Sequence, residues 1–138
     1  MSVRKIFSKV DPTVLVASVI DLVDDSKRID ASSAEEILQV CKVSIPADTA
    51  VKSHKHVPVE RSTTGTQETW IVISGEISAE VFDIDDQKLN DVALGPGSCL
   101  TLFRGGHNLK SLSNAVFYEV KNGPYYGPES DRVAITNS

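Results

Sequence analysis

Cysteine is scarce in this chain: 138 residues hold only Cys41 and Cys99. Nothing near the N terminus reads as an export signal. The one apolar run there, VLVASVI at 14–20, is preceded by Lys9, Asp11 and Pro12, stopped by Asp21, and followed by no small-x-small cleavage site. The two thiols are therefore expected reduced and buried, and the run is expected to be a strand. Also lacking is any stretch near the roughly 20 apolar residues that a membrane helix needs. A protein with no membrane partner, in the cytoplasm, is the expectation. Clustered basic residues are missing too, and the net charge is -5. Nucleic-acid binding draws on Lys and Arg against phosphate, so that class is excluded. The chain shows no internal repeat and no low-complexity segment. One domain is expected at this length, large enough to bury a core without disulfide or metal support.

What the chain does contain is a rhythm of short apolar segments broken by Gly, Pro and Asp. EILQVCKVSI at 36–45, ETWIVI from 68, EISAEVFDI from 76, KLNDVAL from 88, SCLTLF from 98 and AVFYEVK from 115 all read as strands. An all-β barrel or sandwich follows. ETWIVI and EISAEVFDI read as a hairpin closed at Ser74-Gly75, and Ser33 with Glu36 has capping-box spacing for one short helical turn within a polar connector over 21–35. Asp83, Asp85 and Asp86 lack EF-hand spacing and read as a polar turn.

All three histidines, His54, His56 and His107, fall in one stretch that also contains Glu68. Residues 52–56 read as a strand end, and residues two apart on a strand point the same way, so His54 and His56 would aim at one point. Glu68 enters from a neighbouring strand, and His107 follows Gly105-Gly106, whose conformational freedom permits an inward turn. Three imidazoles and a carboxylate without thiolate suit one divalent transition metal, Fe, Mn, Ni, Co or Zn. Around these ligands, alternation puts Trp70 on the face of Glu68. Arg61, in the loop 57–67, is a candidate for an anionic substrate group, and Asn108 for orienting a ligand or substrate. Tyr118 and Glu119 are candidate acid–base groups, and Tyr125 and Tyr126 candidate donors at a pocket mouth.

The pattern of His54-Lys55-His56, Glu68 followed by six residues and Gly75, and GPGSCLTLFRGGHN resembles the two motifs of the cupin superfamily. Eleven residues separate His56 from Glu68 where the usual pattern has three or four. The long loop, the TQE entry, GGHN and YEVKNGPYYG are more similar to a branch of small bacterial cupins encoded beside surface-polysaccharide and nonulosonic-acid genes. The resemblance implies a double-stranded β-helix, the cupin jelly-roll barrel, over 36–127. Residues 1–35 would form an N-terminal extension of strands packing on the barrel or a partner, and 128–138 a C-terminal tail. It further implies a homodimer and a small sugar-like or hydroxy-carbonyl ligand, a sugar or sugar nucleotide among them. Metal-dependent isomerase or oxygenase chemistry is one expectation. A metal-free sugar-nucleotide isomerase or epimerase using His54, His56 and Tyr118 is a second, and a non-catalytic sugar-binding accessory module a third.

Overall fold

The computed structural model describes residues 3–22 and 27–136. The fold is all-β, with every pairing antiparallel. Its strands are β1 (Val3–Phe7), β2 (Leu15–Ile20), β3 (Arg28–Asp30), β4 (Cys41–Val43), β5 (Glu68–Ser74) and β6 (Ile77–Phe82). They continue with β7 (Lys88–Leu94), β8 (Cys99–Leu102), β9 (Gly106–His107), β10 (Lys110–Ser111) and β11 (Val116–Lys121), and a single helical turn, α1, spans Pro128–Asp131. One sheet runs β1-β2-β8-β5-β11; a second has β6 between β7 on one side and β9 and β10 on the other; β3 and β4 form a separate ribbon.

Alternation explains the packing. Val16, Val19, Trp70, Val72, Leu100 and Leu102 from the first sheet meet Ile77, Val81, Val92 and Leu94 from the second in one core, as in a β-sandwich. The N-terminal strands belong to the main sheet, because β2 fills the edge of β8, pairing Ala17 with Leu102 and Ile20 with Cys99. On the outer face, the ribbon and its flanks cover Ile20 with Ile29 and Ala31.

Several sequence expectations change here. The segments 68–74 and 77–82 are both strands, but they do not form a hairpin. Both edges of β5 are taken by β8 and β11, so after Ser74 the chain crosses to the other sheet. Gly75 makes this crossing with φ +75, where an added Cβ would lie 2.0 Å from the Asn114 carbonyl oxygen. The polar connector contains a strand, β3, which pairs with β4; its residues 23–26 lie outside the described residues. Ser33–Glu36 closes as one turn, Glu36 N donating to the Ser33 carbonyl at 3.3 Å, but does not extend into a helix; the Gln39 side chain donates to the carbonyls of Ser33, Ala34 and Glu36. The strand expected over 36–45 shrinks to Cys41–Val43, with Cys41 exposed and unbridged rather than buried; Cys99 is half-buried and also free.

The largest departure concerns 44–66, which contains no strand and is exposed throughout as far as Gly65, with Thr66 also exposed. Pro46 and Pro58 each remove a ladder donor, and the segment's side-chain bonds are short-range except that of Thr66. The polar turn expected at Asp83–Asp86 is present, Asp86 N donating to the Asp83 carbonyl at 3.0 Å, and Asp83 is in addition buried: its carboxylate accepts from Lys9 N at 2.7 Å and Ile84 N at 2.8 Å, pinning the N-terminal loop to the second sheet. Burial raises its pKa, but bonds from Ser8, Lys9, Ile84 and Val10 outweigh that and hold it below the usual value.

Candidate functional site

Glu68 begins β5 with its side chain on the inner face, beside Leu102 of β8 and opposite Lys121 of β11. His107 comes from the other sheet, on β9 opposite Val81. The turn before it depends on Gly105, which sits at φ +70 with its Cα so close to the Phe82 carbonyl oxygen that a Cβ would lie 2.1 Å from it. The two side chains meet across the sandwich, His107 Nε2 lying 3.0 Å from Glu68 Oε1. Trp70, two residues along β5 on the same face, donates its indole N–H to that same oxygen at 2.9 Å. Its ring stands edge-on to the His107 imidazole, centroids 5.3 Å apart. Among the described residues Glu68 Oε2 accepts no hydrogen bond.

Burial pushes the Glu68 carboxyl up. Hydrogen bonds from His107 and Trp70, with the positive charge of His107 and Lys121, more than reverse this and leave it below the usual carboxylate range. Glu68 is therefore an anion at neutral pH, only 9% exposed, facing an open cavity of about 760 Å³ that His107, Phe82 and Leu102 also line. The far wall is the C-terminal segment 130–135. That segment is held by Thr66 Oγ1 donating to Asp131 Oδ1 at 2.6 Å and by Ile135, whose Cδ1 packs where a side chain on Gly106 would stand.

The expected ligands thus separate into two pairs. Glu68 and His107 come together; His54 and His56 lie on the exposed excursion, outside the cavity wall. Their rings keep the same-side relation expected two residues apart, centroids 5.5 Å apart, and His54 Nδ1 lies 2.9 Å from the Lys52 carbonyl. The strand expected at 52–56 does not form: the segment has no ladder partner and is followed by Pro58, which cannot donate to one. Among the described residues no group of three or more His, Cys, Asp or Glu is gathered closely enough to hold a metal ion.

The other candidates sort by face. Trp70 is buried and positions Glu68, as its alternation requires. Asn108 lines the cavity but is committed to Glu80, donating to its Oε2 at 2.6 Å and accepting from its backbone N at 3.0 Å. Arg61 is on the excursion, bonded to the Val59 carbonyl and away from the cavity. Tyr118 pairs with Ile71 on the outward face and is 65% exposed, so it does not reach the site. Glu119 shares the inner face with Trp70 but is bound to Lys121 at 3.3 Å and is not in the cavity wall. Tyr125 and Tyr126 are exposed and also absent from that wall, with Lys121 over the Tyr125 ring.

Two contributors carried no recognisable sequence signal. Arg104 forks onto Glu36, Nη1 to Oε1 at 2.8 Å and Nη2 to Oε2 at 3.0 Å, and donates to the Leu15 carbonyl. Gln67 is buried behind it, donating to Glu36 Oε2 at 2.7 Å and accepting from Leu38 N at 2.9 Å. Together they fix the root of the excursion beside Glu68. Comparison of the chain with protein-family models, with curated proteins and with solved structures finds no match.

Proposed function

We propose that this protein is a divalent-metal-binding cupin, a double-stranded β-helix whose cavity takes a small sugar-like or hydroxy-carbonyl metabolite. The observation that carries the reading is the meeting of a carboxylate and an imidazole, 3.0 Å apart, on the wall of an open cavity. The donor chemistry fits a borderline divalent ion: an ionised carboxylate with one oxygen unengaged, beside an imidazole. Two donors are not a complete site. His54 and His56 supply the rest if the excursion folds back, and eleven intervening residues can span up to roughly 36 Å, ample for closure. A bound divalent ion would supply Lewis-acid polarisation of a carbonyl or hydroxyl. The chain's own part is to hold Glu68 ionised through His107 and Trp70, to position His107 by the Gly105 turn, and to line the cavity with residues 130–135.

The contact between Glu68 and His107 also favours a second reading. A carboxylate that orients an imidazole is an acid–base pair as it stands, able to move a proton to and from a sugar carbon without metal. In that reading His107 replaces the histidines and tyrosine expected from the sequence. One experiment separates the two. Untagged protein and a His54→Ala/His107→Ala variant are incubated with Ni²⁺, Mn²⁺, Fe²⁺ or Zn²⁺, desalted, and analysed for metal per chain by mass spectrometry. Trp70 is the only tryptophan, and its ring lies 5.3 Å from that of His107, so its fluorescence reports the same event, with Ni²⁺ as quencher. Near-stoichiometric metal and quenching in the parent, both lost in the variant, are expected. A parent chain that takes up no metal would overturn the metal reading and leave the acid–base pair.

A further inference from the structure

The cavity wall includes two arginines in opposite states. Arg104 is spent: its guanidinium fork is matched to both oxygens of Glu36, a carboxylate with only 10% of its side chain exposed. Arg132 is not. Among the described residues its guanidinium makes no hydrogen bond or ion pair, although its backbone is fixed, the N–H donating to the Pro128 carbonyl at 2.9 Å. The segment that carries it is clamped on both sides, by Thr66 on Asp131 and by Ile135 on Gly106. Asp131, the acidic neighbour in the same wall, has one oxygen occupied by Thr66 and forms no ion pair with Arg132. An anchored backbone bearing an uncommitted guanidinium, on a residue that lines the same open cavity as Glu68 and His107, is an arrangement suited to an oxyanion.

We infer that the ligand of this cavity is a small oxyanion-bearing molecule, a carboxylate or a phosphate, whose charged end is bound by Arg132 while its hydroxyl or carbonyl end faces Glu68 and His107. The inference rests on the reading of this cavity as the functional site, and it narrows the ligand from sugar-like to anionic. It assigns the recognition role to the C-terminal segment, where the sequence pointed to Arg61. The chain's negative net charge does not supply that recognition; a local guanidinium fork does.

The test uses the full chain, both chelator-treated and loaded with Ni²⁺, and three probes: D-gluconate, inorganic phosphate and the uncharged D-sorbitol. Binding is measured by calorimetric titration for the parent, Arg132→Gln and Arg132→Lys. At least one anion should bind at least tenfold more tightly than sorbitol, and Arg132→Gln should remove that advantage while Arg132→Lys restores part of it. Gluconate alone assigns a carboxylate, phosphate alone a phosphate ester. Arg132 is exposed, so Arg132→Gln should melt with the parent, and its Ni²⁺ content should equal the parent's. Equal anion binding by parent and Arg132→Gln, or anions that bind no better than sorbitol, would overturn the inference. Metal content on the same samples decides the metal reading separately, because the chelator-treated arm tests Arg132 even in a chain that holds no metal.

Discussion

Replacing Trp70 with phenylalanine tests whether the site is built as described. Trp70 is 5% exposed, and its indole N–H donates to a buried carboxylate at 2.9 Å. Phenylalanine keeps most of the ring against Val72, Leu100 and Phe117 but removes that donor. A hydrogen bond to a charged group contributes about 1.5–3 kcal/mol. The smaller ring also gives up roughly three heavy atoms of packing, about 1–2 kcal/mol if the gap does not collapse. The sum, about 2.5–5 kcal/mol, is a large part of the stability of a domain this size. An unfolding entropy near 2.1 cal/mol/K per residue makes each kcal/mol worth about 3–4 °C here, so the melting temperature should fall by roughly 9–17 °C. Circular dichroism is the assay, since the variant has no tryptophan left to follow. A double-mutant cycle with Glu68→Leu, which removes the acceptor, isolates the bond. Coupling of about 1.5 kcal/mol or more is expected; coupling under about 0.5 kcal/mol would mean that the indole and the carboxylate act independently, and the account of how Glu68 is held would be wrong.

Two further outcomes follow from the backbone and from buried charge. Gly105→Ala puts a methyl group against the Phe82 carbonyl at a positive φ, so it should cost about 2 kcal/mol or more and displace His107, seen as a changed Trp70 emission spectrum alongside a lowered melting temperature. Asp83 has a depressed carboxyl in the folded chain; its contribution is complete above the unfolded value of about 3.9 and is lost as pH falls through the lower folded value. Urea midpoints measured from pH 6 down to pH 2 should therefore fall less steeply for Asp83→Asn than for the parent; parallel profiles would refute that linkage.

Strand identity was legible wherever one face is buried. Alternation in β5 put Glu68, Trp70 and Val72 together, and in β11 it set Tyr118 and Val120 apart from Phe117, as the register shows; the register shift between Val116 and Phe117 interrupts the alternation that grouped Val116 with them. Partner choice was not legible, because period-two patterning states which face is apolar and says nothing about which edge is free. The hairpin expected at Ser74-Gly75 was wrong for that reason, and so was the strand expected at His54–His56. Half of the expected donor set, Glu68 and His107, is brought together; the glycine pair that turns His107 inward was the readable signal. Arg104, Gln67 and Arg132 escaped notice because their roles arise from contacts across at least 29 residues, or from a tail segment folded onto the cavity. No local pattern encodes such contacts.

The contact between Glu68 and His107 joins strands of different sheets, and this gives it a role in how the molecule holds together over time. Neither sheet alone contains the site, so no half-folded species with one sheet formed can bind the ligand. Any molecule that engages both residues acts as a cross-link between the layers, and its binding energy should slow their separation rather than hasten their formation, since contacts this distant in sequence form late. Ligand occupancy would then be felt as longevity: hydrogen exchange in β7, which contributes no residue to the cavity wall, should slow together with exchange in β5, because both sheets open through the same event.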